Sequence, residues 1–123
     1  MKSWFAPPLR HRASELEARE TALPYVRYIP GRAAPHYWQV PEARELRHGH
    51  DIGCEAADEL ALWLAANPDC VGLGLLGRIV DDIDFENEAQ RGQCEGFFNQ
   101  LEQLLLLGLS ELEASIGDEP SKH

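Results

Sequence analysis

Residues 94–112 read CEGFFNQLEQLLLLGLSEL, and the way this stretch is taken decides the fold. Cys94, Phe97, Phe98, Leu101, Leu105, Gly108, Leu109 and Leu112 recur at spacings of three and four, the period of one face of an α-helix. The spacing predicts a continuous buried stripe. Leu106 and Leu107 do not belong to it, because at ~100° per residue they fall on the far side of the helix from Leu101. A helix that is apolar on two faces is either enclosed by its own domain or shared with a partner. In a chain this small the second is expected, and two-fold pairing is the commonest way to cover such a face. Leu62 lies off the apolar face of its own helix in the same manner.

Working outward, Ile52, Ala56, Leu60, Trp63 and Leu64 mark the apolar face of a helix that Asp51 would cap and Asn67-Pro68 would stop. A third helix is expected from Cys70 to about Asp84, capped by Asp69, with Leu73, Leu76, Ile79, Val80 and Ile83 inward. Pro41 suits the first position of a short helix over 42–48 that Gly49 would close. The last helix should end near Ile116, where Gly117 to Pro120 follow. Residues 51–116 thus form a core of three main helices, joined by short connections that imply antiparallel neighbours.

The N-terminal part has a different texture. Residues 1–13, with Trp4, Phe5, Pro7 and Pro8, read as an extended arm. Ser14-Glu15-Leu16-Glu17 has the Ser-x-x-Glu form of a capping box, which predicts about two helical turns before Pro24. Its only clear apolar contacts, Leu16 and Leu23, suggest a weak surface helix. The stretches 25–29 and 36–40 are rich in aromatic and β-branched residues, so a short two-stranded β-ribbon is expected over 25–40. Two strands are marginal alone, so the ribbon would have to lie against the helices. The fold class is therefore mainly α: one small helical domain over 14–117, an extended N-terminal arm, a short ribbon and a frayed end at 118–123.

Composition narrows the function. A chain of 123 residues fits one domain, and its 44% hydrophobic and 26% charged content is ordinary for a globular protein. No apolar run approaches the ~20 residues that span a bilayer, and the first residues lack the pattern of a secretory signal. A cytoplasmic setting without membrane association is expected. Cys54, Cys70 and Cys94 are odd in number and contain no Cys-x-x-Cys pair, which argues against a disulfide framework or a cysteine-rich zinc site. Charge is split: residues 1–50 carry eight Lys/Arg against five Asp/Glu, and residues 51–123 carry three against sixteen. An acidic helical half repels nucleic acid and favours a basic protein surface, or simply solubility.

Four motifs carry possible chemistry. Gly72-Leu73-Gly74-Leu75-Leu76-Gly77 matches Gly-x-Gly-x-x-Gly, but no strand precedes it, so close helix packing is preferred to a nucleotide site. His48, His50 and Asp51, with Cys54 one turn on, are the candidate metal ligands. The competing reading is a helix end at His48-Gly49 followed by an N-cap at Asp51. Asp81, Asp82, Asp84, Glu86 and Glu88 lack the Gly and Glu positions of a calcium loop and read as a solvated turn or a docking patch for a basic protein. Tyr25, Arg27, Tyr28, Arg32, Tyr37 and Trp38 have the composition of a stacking surface for single strands, for which core packing is the simpler account.

The leading expectation is a small acidic regulatory module that binds protein, lacks catalytic activity and cofactor, and forms a homodimer through Leu106, Leu107 and the last helix. One alternative is an acidic mimic of nucleic acid, which would need its carboxylates exposed in a row rather than paired with arginines. Another is a metal-dependent enzyme built on His48, His50 and Asp51.

Overall fold

The structure, a computed structural model, describes residues 15–121, with side chains as far as Ala114. The expected arm and the Ser14 end of the capping box lie outside the described residues. The fold is mainly helical: α1 (residues 15–20 of the described part), α2 (Leu46–Ala66), a 3-10 turn (Pro68–Cys70), α3 (Leu75–Asp81) and α4 (Glu88–Ser121). The chain divides into two compact units, one comprising residues up to Pro41 with Leu62–Asp84, the other Glu42–Ala61 with residues from Phe85 on.

In the second unit, the expected break at Gly49 does not occur. α2 is continuous from Leu46, and neither His48-Gly49 nor Asp51 marks a helix boundary. The reason is packing. Gly49, Gly53, Gly92 and Gly96 are all buried, two on each helix and four residues apart, so each pair shares one helix face. A Cβ on Gly53 would run into the Gln93 carbonyl and lie 2.6 Å from the Phe97 nitrogen. One on Gly96 would collide with the His50 carbonyl, 2.8 Å from its carbon. The backbones of α2 and α4 therefore touch where these glycines meet, and since Leu46, His50 and Asp58 meet Gly92, Gly96 and Gln100 in turn, the two helices run parallel and not antiparallel as expected. Each glycine costs about 1 kcal/mol of helix propensity relative to alanine, which the close approach and its dispersion contacts offset. Ile52, Ala56, Ala57, Leu60, Cys94 and Phe97 are buried in the same unit. The Asn87 side chain caps α4, accepting the Gln90 N–H at 3.1 Å.

Asn67-Pro68 ends α2 as the sequence predicts, and the Asn67 amide donates to the Trp63 carbonyl at 2.8 Å. The third helix is much shorter than expected. Gly72 and Gly74 take φ of +87° and +91°, so the chain turns there and α3 begins only at Leu75. These glycines serve a left-handed turn rather than helix packing, and Gly77 has nothing within 4 Å of a built Cβ. The turn moves the buried set to Leu75, Ile79 and Ile83 and leaves Leu73 and Leu76 exposed.

No ribbon forms over 25–40. Arg27 and His36 make a single antiparallel bridge, closed by N–H···O bonds of 3.0 and 2.7 Å. Beyond it one further backbone bond crosses, Gln39 N–H to the Tyr25 carbonyl at 2.8 Å, while Tyr37 N–H goes to the Asp82 carboxylate at 2.8 Å and Trp38 N–H to the His36 ring at 3.2 Å. Tyr25, Val26, Tyr37 and Trp38 are buried, Tyr25 and Trp38 meeting edge to face with ring centres 5.6 Å apart. The aromatic segment is thus core, held by side chains instead of a ladder. At the other end of the chain, α4 runs to Ser121 rather than stopping near Ile116. Gly117 lowers helix propensity without forbidding helical dihedrals.

Candidate interaction surface

α4 leaves its supported part at about Leu104. Phe97 is fully buried and Leu101 and Leu104 are half-buried, whereas Leu105, Leu106, Leu107, Leu109 and Leu112 are 66, 58, 64, 55 and 54% exposed. The stripe expected to be core is therefore core only as far as Leu104. At Leu105, Leu109 and Leu112 the expectation is overturned, because no described part of this unit covers those turns. Five largely exposed leucines within eight residues are a contiguous apolar surface of a kind that usually marks a contact site. Leu62, in the other unit, is 72% exposed. That unit also exposes Val71, Leu73 and Leu76 around the Gly72–Gly74 turn.

The metal candidates diverge. On a continuous helix His48 and His50 are two residues apart, and ~200° of rotation separates them. The His48 ring accepts the Arg44 N–H at 3.1 Å. His50 sits in a short chain of hydrogen bonds. The Asn99 amide nitrogen lies 3.3 Å from its Nε2, and the Cys54 sulfur lies 3.7 Å from its Nδ1. The Cys54 thiol donates to the Gly96 carbonyl at 3.4 Å. Burial, and then the nearby Asp51 and Asp58 charges, push the Cys54 thiol above its ordinary pKa, so it is a donor and not a thiolate. Among the described residues no three His, Cys, Asp or Glu side chains come together as metal ligands would. A groove of about 590 Å³ beside His50 is lined by Leu46, Arg47, Asp51, Gly92 and Glu95, charges of both signs on an open surface.

The acidic stretch does not present five equivalent carboxylates. Asp82 is held by both terminal nitrogens of Arg32, each at 3.0 Å, as well as by Tyr37 N–H. Glu88 lies 3.9 Å from Arg91. Asp81, Asp82 and Asp84 belong to the first unit, Glu86 and Glu88 to the second. Burial alone would raise the Asp82 pKa, but the Arg32 and Tyr37 hydrogen bonds outweigh it and hold the carboxyl below its ordinary value. A carboxyl with a depressed folded pKa stabilises the protein above its unfolded pKa and loses that contribution as pH falls through the folded one. The melting temperature of the wild type should therefore drop on acidification below about pH 4. The drop should be shallower in Asp82→Asn, and parallel curves for the two proteins would contradict this.

The first unit also buries a charged residue, Glu20, to which no sequence motif points. It is 1% exposed, accepts the Tyr37 hydroxyl at 2.5 Å, and is ion-paired with Arg78. Arg78 also donates to the Leu73 carbonyl at 2.9 Å and stacks 5.4 Å from the Tyr37 ring centre. Burial, followed by the Glu20 hydrogen bond, pushes the Tyr37 hydroxyl well above its ordinary pKa. Among the described residues no buried side-chain nitrogen or oxygen lacks a partner. The network joins α1, the segment at Tyr37 and α3, and has no free group aimed at a ligand. Nearby, Arg19 grips Asp69 through two bonds of 2.8 and 2.9 Å, so Asp69 serves as a pairing residue instead of the helix cap expected of it.

No family model, curated protein or solved structure matches this chain. Among the described residues no helix is long and apolar enough to cross a membrane.

Proposed function

We propose that this is a protein-binding module of the cytoplasm, without catalytic activity, which self-associates through its last helix. The observation that carries the reading is the exposure of Leu106 and Leu107 on α4, turned away from the stripe through Leu101. Burying a leucine side chain contributes about 1.5–3 kcal/mol. A two-fold contact buries each of the pair twice, which offsets part of the loss of translational and rotational freedom. Light scattering coupled to size-exclusion chromatography should give a dimer for the wild type and a monomer for the Leu106→Ser/Leu107→Ser variant. Unchanged circular dichroism would establish that the variant is folded. A wild type that stays monomeric at high concentration would remove the reading. The mimicry of nucleic acid draws no comparable support, since Asp82 is already held by Arg32.

A further inference from the structure

The apolar stripe of α4 has borders of one sign. At ~100° per residue, Leu105, Leu109 and Leu112 fall within roughly 80° of Leu101. Glu102 and Glu113 lie roughly 100–120° from Leu101 on that same side, and Glu111 lies roughly 80° away on the other. All three glutamates are exposed. Exposed carboxylates thus border the stripe along both edges, and from Gly92 to Ser121 the chain contains no Lys or Arg.

We propose that the Leu101–Leu105–Leu109–Leu112 face of α4 is the docking site for an amphipathic helix of another protein, one whose apolar seam is flanked by lysine or arginine. The charges beside the seam decide the occupant. In paired helices the residues next to the apolar positions set partner choice through attraction or repulsion. A basic helix meets a carboxylate on each side. The stripe is about 18 Å long at ~1.5 Å per residue, three turns, which matches three turns of the incoming helix. The inference rests on the proposed binding role of α4 but uses a different face from Leu106 and Leu107, so both contacts can form on one helix.

The test is a fluorescence-anisotropy titration of the full chain with two labelled synthetic helices. Each carries three heptads with leucine at the seam; one has lysine at the flanking positions and the other glutamate. The lysine peptide should bind at least about tenfold more tightly than the glutamate peptide, and its affinity should fall as salt is added. Leu105→Ser/Leu109→Ser, which alters only exposed side chains, should weaken it by about tenfold or more while leaving every acidic residue in place. Glu102→Gln/Glu111→Gln/Glu113→Gln should flatten the salt dependence. Equal binding of the two peptides would overturn the proposal, and so would unchanged affinity in the leucine variant, which would reduce the attraction to net charge. Leu106→Ser/Leu107→Ser should bind the lysine peptide as the wild type does. A monomeric wild type that still discriminates between the peptides would sink self-association and leave the basic-helix site standing.

Discussion

Replacing Gly96 by alanine is expected to destabilise the protein by about 3 kcal/mol, at the upper end of what overpacking a well-packed contact produces. The added methyl would meet the His50 backbone and not the end of a mobile side chain, so no rotamer change relieves it. α2 and α4 would have to move apart, weakening contacts around Ile52, Ala56 and Phe97 together. Gly53→Ala should behave alike, because its methyl meets the Gln93 carbonyl and the Phe97 nitrogen. The controls lie in the same helix class. Gly108 and Gly77 have nothing within 4 Å of an added Cβ. Alanine there should stabilise by up to about 1 kcal/mol through propensity alone. Urea unfolding of the four variants reads the contrast directly. Four similar midpoints would mean that α2 and α4 do not cross at these glycines.

The second large effect belongs to Glu20. Its removal strands Arg78 beside apolar surface and leaves the buried Tyr37 hydroxyl without its acceptor. Breaking a fully buried pair costs about 3–5 kcal/mol, but Arg78 is 34% exposed and can turn to water, so about 2–3 kcal/mol is expected for Glu20→Ala. Tyr37→Phe should cost less, since Glu20 keeps its cation. The diagnostic variant is Glu20→Leu/Arg78→Leu. With both charges gone it should be more stable than Glu20→Leu alone, because a lone buried group is worse than none. Additive losses in the double variant would mean that the two side chains act independently.

The 3.6 period located α2 and its buried face at Ile52, Ala56, Leu60 and Trp63, because amphipathic burial repeats along the chain. It gave α4 correctly through Phe97 and could not say where burial ends, since Leu105 and Leu109 continue the pattern although they are exposed. Glycines were the main source of error, for a physical reason. The same residue permits a left-handed turn at Gly72 and Gly74 and a backbone contact at Gly53 and Gly96. Only the surroundings tell which is used. A signal existed in the four-residue spacing of Gly49-Gly53 and Gly92-Gly96, which puts each pair on one helix face. Aromatic and β-branched content pointed to strands at 25–40, but these side chains were recording burial, and the donors of Tyr37 and Trp38 go to Asp82 and His36. Glu20 was invisible because its partners lie 17 and 58 residues away. The exposed leucines of the candidate surface were legible as a surplus, although the surplus proved wider than Leu106 and Leu107.

The chain enters each of its two units twice, and this constrains the order in which they can be completed. All residues of the first unit have been synthesised once Asp84 is made, while the second has only its residues 42–61. Those residues include Gly49 and Gly53, which give them weak helix propensity of their own. The N-terminal half of α2 should therefore remain loosely wound on the nascent chain and become firm only when the glycine face of α4 reaches it. No single cut liberates either unit with all of its own residues and none of the other's, because each is interrupted by the other. Deleting α4 would remove more than its exposed leucines: it would leave half of α2 without the surface against which its glycines are tolerable.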